Sequence, residues 1–190
     1  RVVVKPQAPS TAYQPEPALD ESIYQEILRI THELGVAAER QPSLYADKDE
    51  EALRDLFLMM LAPNFDSATG ETFNKSGKTD ILIRHEKANV FVAECAFWGG
   101  MKAFLEKMDQ ALGYLTWRDS KAAILCFVKN KELGPVLEQI VERTSEHTCF
   151  VKSRGKNADS WFAFEFRLPD DPTRPVHLAV QCFHFPEAPR

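Results

Sequence analysis

Two acidic residues, Asp80 and Glu94, lie in one short run, Gly77 to Trp98, GKTDILIRHEKANVFVAECAFW. The run predicts two strands, Asp80–Arg84 and Val90–Phe97, rich in Ile, Val, Leu and Phe and parted by the polar turn HEKAN. If the hairpin closes symmetrically about Lys87, residues whose numbers add to 174 face one another, and Asp80 stands opposite Glu94. Their Cβ atoms would then be about 4.5–5.5 Å apart on one sheet face. Like charges so placed destabilise a plain sheet and call for a proton or a cation. A divalent metal ion supplies that compensation.

Strand alternation puts Val90, Val92, Glu94 and Ala96 on one face, and Phe91, Ala93, Cys95 and Phe97 on the other. Upstream, a helix is predicted from about Lys48 to Leu61, with Leu53, Leu56, Phe57, Met60 and Leu61 as its buried stripe. Counting about 100° per residue from Leu53, Glu50 lies about 60° from the stripe and Glu51 about 160°. Glu50 can therefore reach the sheet edge, while Glu51 points to water. Both acids also suit the helix N-terminal dipole. Downstream, a helix from about Lys102 carries Phe104, Leu105, Met108, Ala111, Leu112 and Leu115 on one stripe, and Lys107, Gln110, Tyr114 and Trp117 on the far side.

A glycine-led TD strand, a hairpin and a second strand ending in Glu-x-x-aromatic-Trp resemble the PD-(D/E)XK, or restriction-endonuclease-like, nuclease superfamily. The resemblance covers roughly residues 47–130. It implies an α/β fold: a central mixed sheet flanked by helices, here followed by a C-terminal β-hairpin. It also implies a Mg²⁺- or Mn²⁺-dependent phosphodiesterase acting on nucleic acid, with DNA as the expected substrate. In that reading Asp80, Glu94 and the Cys95 backbone carbonyl hold the metal, and Glu50 is a further ligand or positions the attacking water. Gln110 and Tyr114 resemble the QxxxY element of RecB-like members, and Lys78, Lys107, Trp117 and Lys121 are expected to contact nucleic acid. The third residue of the ExK motif is Ala96 where the family has lysine. Alanine neither orients water nor offsets developing negative charge, so the chain as it stands is expected to be inactive. An engineered replacement and a naturally inactive nucleic-acid-binding homologue both account for Ala96. A protein-interaction or oligomerisation module on the same fold is the alternative from another class. Domains of this type resemble effectors of bacterial restriction and antiphage systems, which implies a sensor domain elsewhere in a longer protein and allows a homo-oligomer.

The chain has 190 residues, enough for one sizeable core, with 44% hydrophobic and 27% charged residues. Residues 1–19, which follow a non-Met start and are rich in proline, are expected to be a linker; 20–190 is expected to be the domain, cut from a longer protein. The net charge of -5 is unevenly spread: residues 1–71 carry -7, 72–131 carry +4 and 132–190 carry -2. A polyanion can bind the basic middle segment. No apolar run approaches a membrane span, and the expected location is cytoplasmic. The four cysteines stand far apart and suit buried reduced thiols. The histidines show no HExxH spacing, no serine sits in a GxSxG elbow, and GETF is not a phosphate loop.

Further elements complete the expected layout. A packing helix over Glu21–Leu34 is capped by Asp20 and stopped by Gly35. Residues 64–78 read as a loop with a short strand. Lys121–Asn130 reads as a core strand, Leu133–His147 as an amphipathic helix, and Thr148–Lys152 as a strand. The loop SRGKNADS then leads to a hairpin of Trp161–Leu168 and Val176–Phe185. The basic triplet Lys152, Arg154 and Lys156 suits either phosphate contact or simple solvation.

Overall fold

The computed structural model describes residues 21–65, 68–74, 77–85 and 88–186, with side chains for 21–65, 80–83 and 91–186. The expected linker and the Asp20 cap lie outside the described residues. The elements are α1 (Glu21–Glu39), α2 (Pro42–Tyr45), α3 (Glu50–Leu61), β1 (Ala68–Asn74), β2 (Gly77–His85), β3 (Ala88–Phe97) and α4 (Met101–Tyr114). They continue with β4 (Lys121–Val128), α5 (Gly134–Arg143), a 3₁₀ turn (Thr144–Glu146), β5 (Phe150–Ala158), β6 (Trp161–Arg167) and β7 (Pro175–His184).

The strands form one seven-stranded mixed sheet in the order β1-β2-β3-β4-β7-β6-β5. Strands β3, β4 and β7 run parallel in its centre, and antiparallel pairs complete both sides. The central strand β4 is buried at every residue, which explains its unbroken apolar run. The expected C-terminal hairpin forms as β6 and β7 and is part of the central sheet, because β7 inserts beside β4.

Each face of the sheet carries its own core. Ile81, Ala93, Cys95, Leu125 and Phe183 pack under α1 and α3. Leu82, Val92, Ile124, Cys126 and Val180 pack under α4 and α5. Three polar contacts fix α1 over β4 and β7: Tyr24 OH donates to the Ala122 carbonyl at 2.9 Å, Thr31 Oγ1 donates to Gln181 Oε1 at 2.7 Å, and Gln181 Nε2 donates to the Leu28 carbonyl at 2.7 Å. All four cysteines are free, and Cys149 alone among them is incompletely buried. Among the described residues no helix is long and apolar enough to cross a membrane.

Several boundaries differ from expectation. Helix α1 runs straight through Gly35, which is buried against the Phe183 ring instead of ending the helix. Helix α3 begins at Glu50, where Asp49 caps it by accepting from the Ala52 amide at 2.8 Å. Met60, expected in the α3 stripe, is exposed, whereas Arg54 is buried there. The short α2 occupies the expected loop before α3. The predicted loop SRGKNADS is mostly strand β5, paired along β6 with three register shifts and a left-handed Gly155 at φ 96°.

Candidate functional site

The site begins where β2 and β3 part. Their ladder pairs Ile83 with Phe91, Leu82 with Val92 and Ile81 with Ala93, all adding to 174 as the symmetric hairpin requires. A register shift between Ile83 and Arg84 takes up one residue nearer the turn. Past Ile81, β2 leaves β3 while still paired with β1, and Asp80 is the first residue after the separation. Among the described residues, the edge of β3 facing away from β4 thus has no strand beside it beyond Ala93.

Carboxylates occupy that edge. Asp80 Oδ2 accepts a hydrogen bond from the Cys95 amide at 2.8 Å, and Glu94 Oε1 accepts one from the Asp80 amide at 3.4 Å. Two residues along β3, the Phe97 amide helps to hold down, against burial, the carboxyl of Glu50 at the start of α3. The Cys95 amide, which a neighbouring strand would otherwise take, is therefore satisfied by the Asp80 carboxylate. The N–H and C=O of one strand residue project to the same side, so the Cys95 carbonyl points toward the Asp80 side of β3. Glu94 is buried and Asp80 half-buried.

The charges of all three acids act on Cys95. Burial pushes the Cys95 thiol well above its ordinary range, and the charges of Asp80, Glu94 and Glu50 push it further. Burial likewise raises the Glu50 carboxyl; Lys107 opposes the rise, and Asp80 adds to it. The Lys107 ammonium, reaching across from α4, lies 3.9 Å from Glu50. Arg54, one turn after Glu50, is buried and bonded to Asp55 at 2.8 Å, and its charge acts on both Glu50 and Cys95. Sequence patterning passed over Arg54 because arginine beside a helix stripe ordinarily reaches for solvent. Its position four residues after Glu50 was the available signal.

Other expected site residues divide. Ala96 is buried on the α4-facing side of the sheet, the side of Glu94 by alternation, and offers no charge. Gln110 Nε2 donates to Tyr114 OH at 2.6 Å, so these two form a pair. Tyr114, expected away from the apolar stripe, is buried in the core beneath α4. Trp117 falls beyond the end of α4, is exposed, and stacks on Arg174, whose guanidinium carbon lies 4.6 Å from the ring centroid. Lys121 is removed from the cleft altogether. It begins β4 with its side chain on the α1 face, buried, paired with Glu21 and 2.8 Å from His177 Nδ1. The Lys78 side chain lies outside the described residues.

Asp80, Glu94, Glu50 and a strand carbonyl are hard oxygen donors, which suit Mg²⁺ or Mn²⁺ in kind. Among the described residues, however, no group of three or more His, Cys, Asp or Glu side chains converges as a metal cluster. Asp80 spends one oxygen on the Cys95 amide, and a carboxylate keeps further acceptor positions beyond one such bond. Comparison with protein-family models, with curated proteins and with solved structures finds no match.

Proposed function

We propose that this chain is a metal-dependent nuclease domain of the PD-(D/E)XK type, directed at DNA, whose catalytic power is reduced by Ala96. The observation that carries the reading is the set of acids at the parting of β2 and β3, with Asp80, Glu94 and Glu50 all acting on Cys95. Asp80 and Glu94 would hold Mg²⁺ together with the Cys95 carbonyl, and Glu50 would hold or orient water. The ion, when bound, supplies Lewis acidity toward a phosphate oxygen and a more acidic water. The chain's own part is to fix these oxygens on a rigid strand edge and to bring Lys107 near them. An effector role under a separate sensor domain belongs to the same proposal.

Ala96 decides the test. Loss of one electrostatic group at a reacting centre costs about 10²–10³ in rate, so this chain is expected to cleave DNA barely or not at all. Calorimetry with Mn²⁺ should show one site that Asp80→Ala abolishes. Ala96→Lys, checked for folding by thermal unfolding, should produce Mg²⁺-dependent cleavage that Asp80→Ala or Glu94→Ala removes. Absence of any Mn²⁺ site sinks the reading. The outcome then favours a nucleic-acid-binding or protein-interaction module, the second reading to which the lack of a converged three-residue cluster among the described residues points.

A further inference from the structure

The two helices that supply Glu50 and Lys107 lie on opposite faces of the sheet. Helix α3 covers the core that holds Ile81, Ala93 and Cys95, and α4 covers the one that holds Leu82 and Val92. Side chains from opposite faces can meet only past an edge or an end of the sheet. Lys107 Nζ nevertheless lies 3.9 Å from Glu50 Oε1. Glu50 and Asp80 act on each other and both act on Cys95, so this pair spans the opening beside β3 where β2 departs.

Charge decides what the pair does there. Lys107 and Arg54 are the cations that act on Glu50. Arg54 already has a carboxylate of its own, Asp55, which accepts from its Nε at 3.0 Å and its Nη2 at 2.8 Å. Burial raises the Glu50 carboxyl, and of the neighbours that draw it down Lys107 does so most and Arg54 least. Ala96 adds no charge. Lys107 is therefore the cation that answers Glu50 in the chain by itself. The contact is loose: at 3.9 Å the two side chains keep 29% and 38% of their exposure. An ion pair so exposed adds little to stability and exchanges readily for other partners.

We propose that Lys107 is a displaceable latch on Glu50: a divalent metal ion competes with its ammonium for that carboxylate, and a phosphodiester that draws the ammonium away favours metal loading. The inference rests on the nuclease reading for Glu50 as part of the metal site, and adds to it how the filling of that site is regulated. A divalent ion that approaches Glu50 with Lys107 in place meets a like charge, so metal binding by the chain alone is weakened. The ammonium is rooted on α4 beside the opening and is partly exposed, where a backbone phosphate offers it an alternative partner. Binding free energies are reciprocal, so the phosphodiester tightens the metal by the same factor as the metal tightens the phosphodiester. Lys107 is the group through which the two are coupled.

The test is calorimetric titration of Mn²⁺ into the full chain at about pH 7.5, above the ordinary carboxylate range. It is run alone and with a saturating short DNA duplex, and the titration into duplex alone is subtracted. Lys107→Gln should tighten Mn²⁺ about three- to tenfold without DNA, the scale of the repulsion between a divalent ion and an ammonium that share a carboxylate in water. It should also shrink the gain that the duplex brings by a similar factor. Lys107→Arg keeps the charge and should behave as the parent, whereas Lys102→Gln, at an exposed lysine of the same helix, should change neither quantity. Thermal unfolding checks each variant, and a damaged fold would weaken Mn²⁺ binding, opposite in sign to the expected effect. No Mn²⁺ site in the parent, with or without duplex, ends the nuclease reading and this inference together. A parent site that Asp80→Ala abolishes but Lys107→Gln leaves unchanged or weakens overturns the latch alone. So does a duplex that brings the parent no gain, or an equal tightening in Lys102→Gln, which would mark a general effect of net charge.

Discussion

Gly35→Ala puts the docking of α1 on the sheet to a quantitative test. Alanine in place of glycine inside a helix ordinarily stabilises by about 1 kcal/mol, so sequence alone predicts a gain. The structure predicts the reverse. A Cβ at residue 35 would lie 2.1, 2.2 and 2.6 Å from three ring carbons of Phe183, where ordinary contact begins at 3.4 Å. The ring would have to retreat by more than 1 Å. It cannot do so freely, because Phe57 lies 5.4 Å, His32 6.3 Å and Phe127 6.4 Å away by ring centroid. Overpacking of a tight core costs about 1–3 kcal/mol. Taking the upper end for a clash with a confined ring, and subtracting the helix gain, leaves a net loss of about 2 kcal/mol. For a domain of this size that lowers Tm by about 4–8 °C. Thermal and urea unfolding of Gly35→Ala measure it, and the loss should shrink in a Phe183→Leu background, where the ring is gone. An unchanged or raised Tm would refute the packing of α1 against β7 described above.

The site titrates in a direction that the structure sets. Glu50 has its carboxyl raised by burial, so the folded protein holds that proton more tightly and a cation must displace it; Mn²⁺ affinity should rise with pH above about 4.5 and more steeply than in Glu50→Gln, as calorimetry across pH 5–7 would show. Glu21 behaves in the opposite sense. Burial pushes its carboxyl up, but hydrogen bonds from Lys121 and Gln25 and the nearby charges outweigh it and hold the group at about 2. Its contribution is therefore complete above pH 4.5 and is lost as pH falls toward about 2, so the Tm gap between the parent and Glu21→Gln should narrow over that window. A gap that stays constant on acidification would refute the pairing of Glu21 with Lys121.

Local pattern determined a good deal here. Period-two alternation placed Glu94 and Ala96 on one face, and the register whose numbers add to 174 holds from Ile83–Phe91 to Ile81–Ala93, because strand geometry is a property of neighbouring residues; it ends one step short of Asp80 and Glu94 and shifts before the turn. Helical phase separated Glu50 from Glu51 for the same reason. Tertiary structure decided what depends on distant neighbours. Gly35 looks like a helix stop until Phe183, 148 positions away, is seen to need the space that a Cβ would fill. Strand β5 is exposed along nearly its whole length and shows no apolar alternation; pairing with β6 makes it a strand. Tyr114 stands off the apolar stripe of α4 yet is buried in the core beneath that helix. Lys152, Glu165, His177 and Lys121 stand in successive ladder pairs because β7 inserts between β4 and β6, and strand order is a long-range choice that no local period encodes.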